Sequence, residues 1–503
     1  MKLKFQIIII FLLALVSLEA QSKKKIRFAA DAEGNAPYIY QNPNNPKELI
    51  GFEMDIVKAL CDQMGYEYEF VQNQWDGLVP GLLRDDYDIA INGIEVTKER
   101  ERVVDFSASY YRTFEQILVK NDRNDIFTLE DLRGKKVGAL KSSVAEKILQ
   151  SVHGIKLLSY DAEVSAIADM ENDRLDAVLL DHPIALYNAG WNTKIKMVGK
   201  PIGEVVYGIA IKKGREDLLF EINEALKQIT KSGKLREILQ TWNMWNYIMA
   251  VYSQDPSESN ISPDKYQTYI KAQTKDFTWK DYLARQISYL PQFGEAAIVT
   301  MEISLLSMVV AILLGLILAL VRVYAPKPIS ILAILYIEII RGTPLLIQLF
   351  FIYYALPSLG IKISPYFAAV AGLGMNYAAY EAENYRAGLF AVPKGQMEAA
   401  ISLGMTRGQA LRHIIIPQAV RLVIPPITND FISLLKDSSL VSVITMVELT
   451  KLYGQISNAN FDYIGTGLIV AAIYLLLGFP FVRLSQVLEK RYTFENRKNK
   501  VIV

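Results

Sequence analysis

The residues best placed to do chemistry are charges set inside otherwise apolar runs. Arg341 falls twelve residues into the run Ile329–Leu356, about 18 Å along a helix that rises about 1.5 Å per residue. A charge at that depth costs about 2.5–3.5 kcal/mol on insertion scales unless it is paired or hydrated. Glu338 stands one helical turn away and is its nearest candidate partner. Glu381, Glu383, Arg386, Asp430, Lys436 and Asp437 pose the same question in later runs. Two readings stay open: ion pairs that hold a helix bundle together, and polar groups along a solute path. Arg341, Glu381 and Asp430 are the candidates for such a path, the last two by their depth. Gly342 and Pro344 can break a helix where it lines a cavity.

Other chemistries find little support. No G-x-x-x-x-G-K-[ST] run occurs, and Lys231-Ser232-Gly233-Lys234 lacks its spacing. The chain has 54 basic and 53 acidic residues, a net charge of +1, without the basic surplus a nucleic-acid binder uses. Cys61 is the single cysteine, so no intrachain disulfide can form. No metal-ligand pattern stands out.

Five apolar runs must position those charges: Ala296–Val321, Ile329–Leu356, Tyr366–Leu389, Val420–Ile444 and Tyr463–Val482. Each is long enough to span a hydrocarbon core of about 30 Å. An odd number of spans puts the flanking segments on opposite sides of the bilayer. At the N-terminus, Lys2 and Lys4 precede the apolar stretch Ile7–Val16, and Ser17, Ala20 and Ser22 come after it. That is a secretory-signal pattern over residues 1–22, with an uncleaved anchor as the alternative; both send residues 25–248 across the membrane. The loops then fall inside at Arg322–Lys327, Lys394–Arg412 and Arg483–Lys500, which are rich in Lys and Arg. The outside loops Pro357–Pro365 and Thr450–Asn460 hold only Lys362 and Lys451. Charge asymmetry and leader agree on one topology.

Residues 25–248 read differently. Strand-like runs at Lys25–Ala30, Asp88–Asn92, Lys136–Leu140 and Asp176–Leu180 alternate with amphipathic stretches. In one of these, Phe52, Ile56, Val57, Leu60 and Met64 recur at helical spacing and predict a helix over Phe52–Met64. Such alternation predicts an α/β domain of two lobes. Residues 249–285, with Pro256 and Pro263, read as a linker, with room for a short helix in Tyr266–Tyr282. Beyond it lies an all-α membrane domain of about five helices at 286–492, then a tail at 493–503.

Two resemblances, the first in the membrane half and the second in the outer half, sharpen this frame. Glu398-Ala399-Ala400, Gly404 and Ile414-Ile415-Ile416-Pro417 resemble the EAA loop of ABC importer permeases, with Ile416 in place of the usual Leu. Arg341–Leu346, the stretch from Tyr380 to Gln396 and Phe431–Ile444 resemble polar amino acid permeases of the histidine/glutamine/arginine type. Residues 25–248 resemble the family 3 periplasmic amino-acid-binding proteins through Gly51–Ile56, Trp75–Leu78, Asn92–Arg100, Val104–Ser107 and Asp176–Pro183.

The first resemblance implies that 398–417 couples to a cytoplasmic ABC ATPase dimer. ATP and Mg would be used by that partner, and this chain would bind no cofactor. One permease segment per chain implies a homodimer in the bilayer. The second implies two lobes that close over an amino acid by hinge motion. Arg100, with Thr97 and Gly93, would take the ligand carboxylate, joined by Lys141, Ser142 and the N–H groups of Ser143–Ala145 at a helix start. Asp181 would take the ammonium, Trp75 would form an aromatic wall, and Asp31 lies on the entry segment. The sequence departs from the family at Glu95, where Ser or Thr is usual. A carboxylate there repels the ligand's own unless it is turned away, protonated or paired with Arg100. Glu33, Asp76 and Glu95 favour a basic ligand side chain. The rival readings are a dehydratase on the same fold, a ligand-gated channel and a sensor. The EAA spacing, the missing filter sequence and the short tail count against them in turn.

Overall fold

The computed structural model describes residues 24–32, 36–42, 45–255, 261–274, 278–460 and 462–492. The expected leader, Glu33 and the 493–503 tail lie outside the described residues. The chain divides into two units, Met1–Asp276 and Phe277–Val503.

The outer unit begins with β1 (Lys25–Ala30), a hairpin of β2 (Tyr40–Asn42) and β3 (Asn45–Ile50), then α1 (Phe52–Met64) and β4 (Glu67–Gln72). α1 forms where its apolar spacing predicts, burying Phe52, Ile56, Val57 and Leu60. Gly65, at φ 69°, ends it in the left-handed conformation that glycine adopts without steric cost. Next come α2 (Leu78–Arg84), β5 (Ile89–Ala90), α3 (Lys98–Glu101) and β6 (Val104–Phe106). The second lobe is built from β7 (Tyr111–Lys120), β8 (Lys136–Leu140), α4 (Val144–Ser151), β9 (Lys156–Tyr160), α5 (Glu163–Glu171), β10 (Ala177–Asp181), α6 (His182–Ala189) and β11 (Ile195–Tyr207), before β12 (Ala210–Lys212) returns to the first. The unit closes with α7 (Glu216–Lys231), α8 (Lys234–Thr241), α9 (Tyr247–Tyr252) and α10 (Asp264–Thr274).

Two five-stranded sheets result, in the orders β4-β1-β5-β12-β6 and β11-β7-β10-β8-β9. Each is the spine of one lobe. The chain passes between lobes from Phe106 to Tyr111 and back from Tyr207 to Ala210, and the two passages lie side by side. Ser107 N donates to the Ile209 carbonyl at 2.9 Å, and Tyr110 N donates to the Tyr207 carbonyl at 3.3 Å. Paired crossings of this kind form a hinge, and the loops beyond the strand ends of both sheets face one cleft.

The stretch expected as a linker departs from that reading. α9 buries Met249, and α10 buries Tyr269. The Tyr269 ring packs on Tyr40 of the first lobe and Tyr187 of the second, at centroid distances of 6.0 and 4.9 Å. Lys265 pairs with Asp55 at 2.5 Å. Polar composition hid an aromatic face whose buried rings stabilise docking.

The second unit is helical: α11 (Trp279–Tyr324), α12 (Lys327–Gly342), α13 (Leu345–Phe350), α14 (Pro365–Ala391), α15 (Lys394–Ser402), α16 (Arg407–Ala410), α17 (Ile416–Asp437), α18 (Leu449–Asn460) and α19 (Tyr463–Tyr492). Among the described residues three helices are long and apolar enough to cross a membrane. They contain the expected first, fourth and fifth spans. The expected second span is broken: Lys327–Gly342 and Leu345–Ala355 meet at 108°. Pro344 lacks the N–H that would continue the ladder, and it holds Thr343 extended. The expected third span is α14, whose 27 residues suffice in length but include Glu381, Glu383 and Arg386. At 46 residues, α11 extends about 69 Å, well beyond one hydrocarbon core.

Candidate functional site

The outer cleft lies between loops that leave the strand ends of both sheets. Tyr38, Trp75, Asn92, Gly93, Glu95, Leu140, Ser143, Glu163 and Asp181 are among the residues that line it. Gly93 sits at φ 63°, and a Cβ there would lie 2.9 Å from the Tyr38 ring, so the turn after β5 requires glycine. Its N–H is taken: it donates to Glu53 Oε1 at 2.7 Å. Burial pushes the Glu53 carboxyl up to about 8.

Glu95, buried to 1% exposure, reaches from the first lobe to the second. Val144 N, at the start of α4, donates to its Oε1 at 2.9 Å, and the Arg100 guanidinium pairs with its Oε2. Arg100 Nη1 also donates to the Glu95 carbonyl at 2.9 Å, and Nη2 donates to the Ser142 carbonyl at 2.9 Å. The guanidinium lies 4.7 Å from the Trp75 ring centroid. Of the three ways to accommodate an acid at position 95, pairing with Arg100 is the one observed.

Asp181 ends β10 with its carboxylate inside the cleft, where Tyr38 Oη donates to Oδ2 at 3.3 Å and Tyr207 Oη donates to the same oxygen. Burial, and next the Glu95 charge, push its carboxyl up to about 7. Oxygens of Glu95, Glu115 and Asp181 lie within 4.8 Å of one another. Glu115, from the middle of β7, is fully buried and makes no hydrogen bond of normal geometry among the described residues, and burial and the Asp181 charge hold its carboxyl well above the usual range. Burial pushes the Glu163 carboxyl up to about 8.

Trp75, Gly93, Glu95 and Asp181 therefore share the cleft. The other expected ligand residues are engaged beside it. Thr97 Oγ1 caps α3 by accepting from Arg100 N at 3.3 Å. Lys141 pairs with Asp76 and Asp161, each at 3.6 Å. Ser142 N donates to Glu146 Oε2 at 2.7 Å, and Asp31 accepts from Trp75 N at 3.0 Å. Sequence reasoning missed Tyr38, Glu115, Glu163 and Tyr207. Glu115 carried a signal, as a lone acid within the run Tyr111–Lys120.

In the membrane unit, Glu381 and Asp430 come together and Arg341 does not join them. Asn384 Nδ2 donates to Asp430 Oδ2 at 2.8 Å and to Glu381 Oε2 at 3.3 Å. Glu381 Oε1 is buried without a hydrogen-bond partner among the described residues. Arg341 ends α12, exposed, with its guanidinium 5.4 Å from the Tyr380 ring centroid. The expected Glu338–Arg341 pair does not form among the described residues, since Arg341 turns to that ring. Glu383 is held between Arg322 and Arg386.

The 398–417 stretch folds as a hairpin of short helices. α15 carries Glu398, Ala399 and Ala400, and only Ala400 of the three is buried. Gly404 turns the chain at φ 85°. Thr406 and Gln409 form a capping box at the start of α16. Ile414 lies in the π turn Leu411–Ile415, and Pro417 follows directly in α17, so the wide turn stands where proline cannot donate an N–H. Leu403 stands 83% exposed at the tip.

Residues 26–244 match the family of bacterial extracellular solute-binding proteins, family 3. Residues 311–494 match the binding-protein-dependent transport system inner membrane component. The L-cystine transport system permease protein TcyB of Bacillus subtilis (strain 168) is 39% identical over 207 residues, 41% of this chain and 88% of that protein. The arginine transport system permease protein ArtQ of the same organism is 34% identical over 206 residues, 41% of this chain and 94% of that protein. The ABC transporter arginine-binding protein 1 of Escherichia coli (strain K12) is 30% identical over 243 residues, 47% of this chain and 98% of that protein. These kinships mark a non-enzymatic, multi-pass inner-membrane transport subunit whose two domains serve amino-acid import. The chain belongs to the polar amino-acid ABC transporters, with a family 3 solute-binding domain and a permease domain joined in one polypeptide.

Proposed function

We propose that this chain captures its own solute outside the membrane and passes it to its own permease, with a separate cytoplasmic ATPase supplying the energy. The outer lobes close about their paired crossings on a small amine-bearing ligand of the amino-acid class, with Asp181 taking the amine. The 398–417 hairpin is the contact with the ATPase. Its exposed Ala399, Ile401 and Leu403 offer a small apolar tip for a groove in a partner, which can move it as a rigid body. The binding domain is outside, while the hairpin and C-terminus are inside. Two copies of the chain supply the two permease halves, and the chain itself binds no cofactor; ATP and Mg belong to the partner. Glu381 and Asp430 lie on the solute path.

The observation that carries this reading is the union, in one chain, of a two-lobed solute-binding domain and a permease domain with an exposed helical hairpin. Proteoliposomes holding the full chain and an amino-acid-type ABC ATPase test it with labelled basic and polar amino acids. Uptake that needs both ATP and the ATPase supports the reading. Turnover of ligand without transport, or a solute current that is independent of ATP, contradicts it in favour of an enzyme or a channel.

A further inference from the structure

The anion seat of the outer cleft is filled by the protein itself. A ligand carboxylate in a closed cleft needs a guanidinium and a free N–H at a helix start. Both are present here, and both are engaged by Glu95: Val144 N donates to one carboxylate oxygen at 2.9 Å, and Arg100 pairs with the other. Three of the five Arg100 N–H groups are committed, to the Glu95 carboxylate and to the Glu95 and Ser142 carbonyls, and its face lies on Trp75. A ligand carboxylate would have to evict Glu95, which is 1% exposed, toward Glu115 and Asp181. Those two already lie within 4.8 Å of it.

The opposite charge is the one the cleft lacks. Glu115 is fully buried, makes no hydrogen bond of normal geometry among the described residues and has the Ala145 N–H and the Asp181 carboxyl near it, and burial with the Asp181 charge holds its carboxyl well above the usual range. A buried carboxylate so poorly supplied with donors is costly unless a cation or a proton reaches it. Glu163, also buried, lines the same cleft and feels the charges of Asp181 and Glu95. An ammonium brings three donors and a guanidinium five, and either suits a cluster whose lone pairs outnumber the N–H and O–H groups around it.

We propose that the cleft takes an organic cation without a carboxylate, a linear α,ω-diamine or guanidinoalkylamine of the kind formed by decarboxylating a basic amino acid. This rests on the import reading above and replaces its amino-acid ligand with the corresponding carboxylate-free amine. Glu115 and Asp181 hold the cationic end, and Glu95 acts as the built-in substitute for the carboxylate that such a ligand lacks.

Matched pairs test it, each differing only in the carboxylate: ornithine with 1,4-diaminobutane, lysine with 1,5-diaminopentane, and arginine with 4-guanidinobutylamine. Isothermal titration of the full-length protein in lipid nanodiscs should show the carboxylate-free member binding at least about tenfold tighter in one or more pairs. Glu95→Ser, which frees Arg100 and Val144 N–H, should shift that pair at least about tenfold toward the amino acid. Should this variant not fold, the wild-type pairs alone decide. Tighter binding of the amino acid in every pair overturns the proposal, as does heat from calcium or magnesium alone, or no heat from any of the six compounds. The two readings fail separately. ATP-driven uptake of amino acids with no amine binding removes this proposal and leaves the import reading. Amine binding without any ATP-driven uptake does the reverse.

Discussion

The two units differ in what they bury where their helices approach most closely. In the outer unit the buried faces are large and apolar, as with Phe52, Ile56, Val57 and Leu60 of α1 or Leu218, Ile222, Leu226 and Ile229 of α7. In α11 a row of small buried positions, Ala296, Thr300, Ser304, Ser307, Ala311, Gly315 and Ala319, runs beside the larger buried Phe293, Ile303 and Met308. The exposed positions there are Leu305, Leu306, Val309, Leu313, Leu316 and Ile317. Water drives apolar side chains inward in one unit. Lipid removes that drive in the other, where small residues let helices approach and many large ones face outward. Charges show the same divide. Glu383 in the membrane unit sits between two arginines, while the outer cleft gathers Glu95, Glu115, Glu163 and Asp181 around the single arginine that Glu95 engages. The membrane unit pairs Glu383 internally and leaves Glu381 and Asp430 bridged by the uncharged Asn384, while the cleft gathers the larger acidic cluster, a surplus that a ligand can answer.

The sharpest way to break this comparison is to enlarge a small buried residue. A Cβ on Gly315 would lie 2.7 Å from Glu381 Cβ and 2.9 Å from the Ala378 carbonyl. Gly315→Leu should therefore abolish the monodisperse detergent-purified protein on size exclusion, while Leu316→Ala on the exposed face should leave it intact. Asp181→Asn probes the cleft surplus: affinity for a cationic ligand should fall about 100-fold, about 2.7 kcal/mol, by titration. The hairpin separates capture from coupling. Leu403→Asp should lower ligand-stimulated ATP hydrolysis about tenfold while ligand affinity stays unchanged.

The smallest effect is on pH. Asp181 is held up to about 7, and Glu53 and Glu163 to about 8, all chiefly by burial. The folded outer unit therefore binds more protons than the unfolded chain between the ordinary carboxylate range and pH 8. Its ligand-free stability should fall as pH rises through that window, by up to about 1.4 kcal/mol per pH unit for each group. Differential scanning fluorimetry from about pH 5.5 to 8.5 should show the outer transition moving down by about 5 °C or more; an unchanged or rising transition contradicts the burial assignment.

Periodicity made much of the architecture legible beforehand. Phe52–Met64, Lys25–Ala30 and Lys136–Leu140 stand where their patterns put them, because a soluble core imposes one apolar face on each element. The membrane runs were legible by hydropathy, but the 108° break at Thr343-Pro344 was legible only as a capacity to break. The cleft was half legible. Asp181 and Glu95 lie in local motifs, whereas Glu115 and Glu163 arrive from distant elements and acquire meaning only once the two sheets face each other. The α10 packing was hidden for a related reason: Tyr266 and Tyr269 find Tyr187 and Tyr40 far away in sequence.

The central claim is that capture and passage belong to one chain. The most direct measurement is ATP hydrolysis by proteoliposomes containing only this chain and its ATPase, titrated with ligand on the outer side. The account predicts that hydrolysis rises with outer ligand with no other binding protein present, and that Asp181→Asn shifts the curve to about 100-fold higher concentration. Hydrolysis that ignores outer ligand until a separate binding protein is added would contradict it.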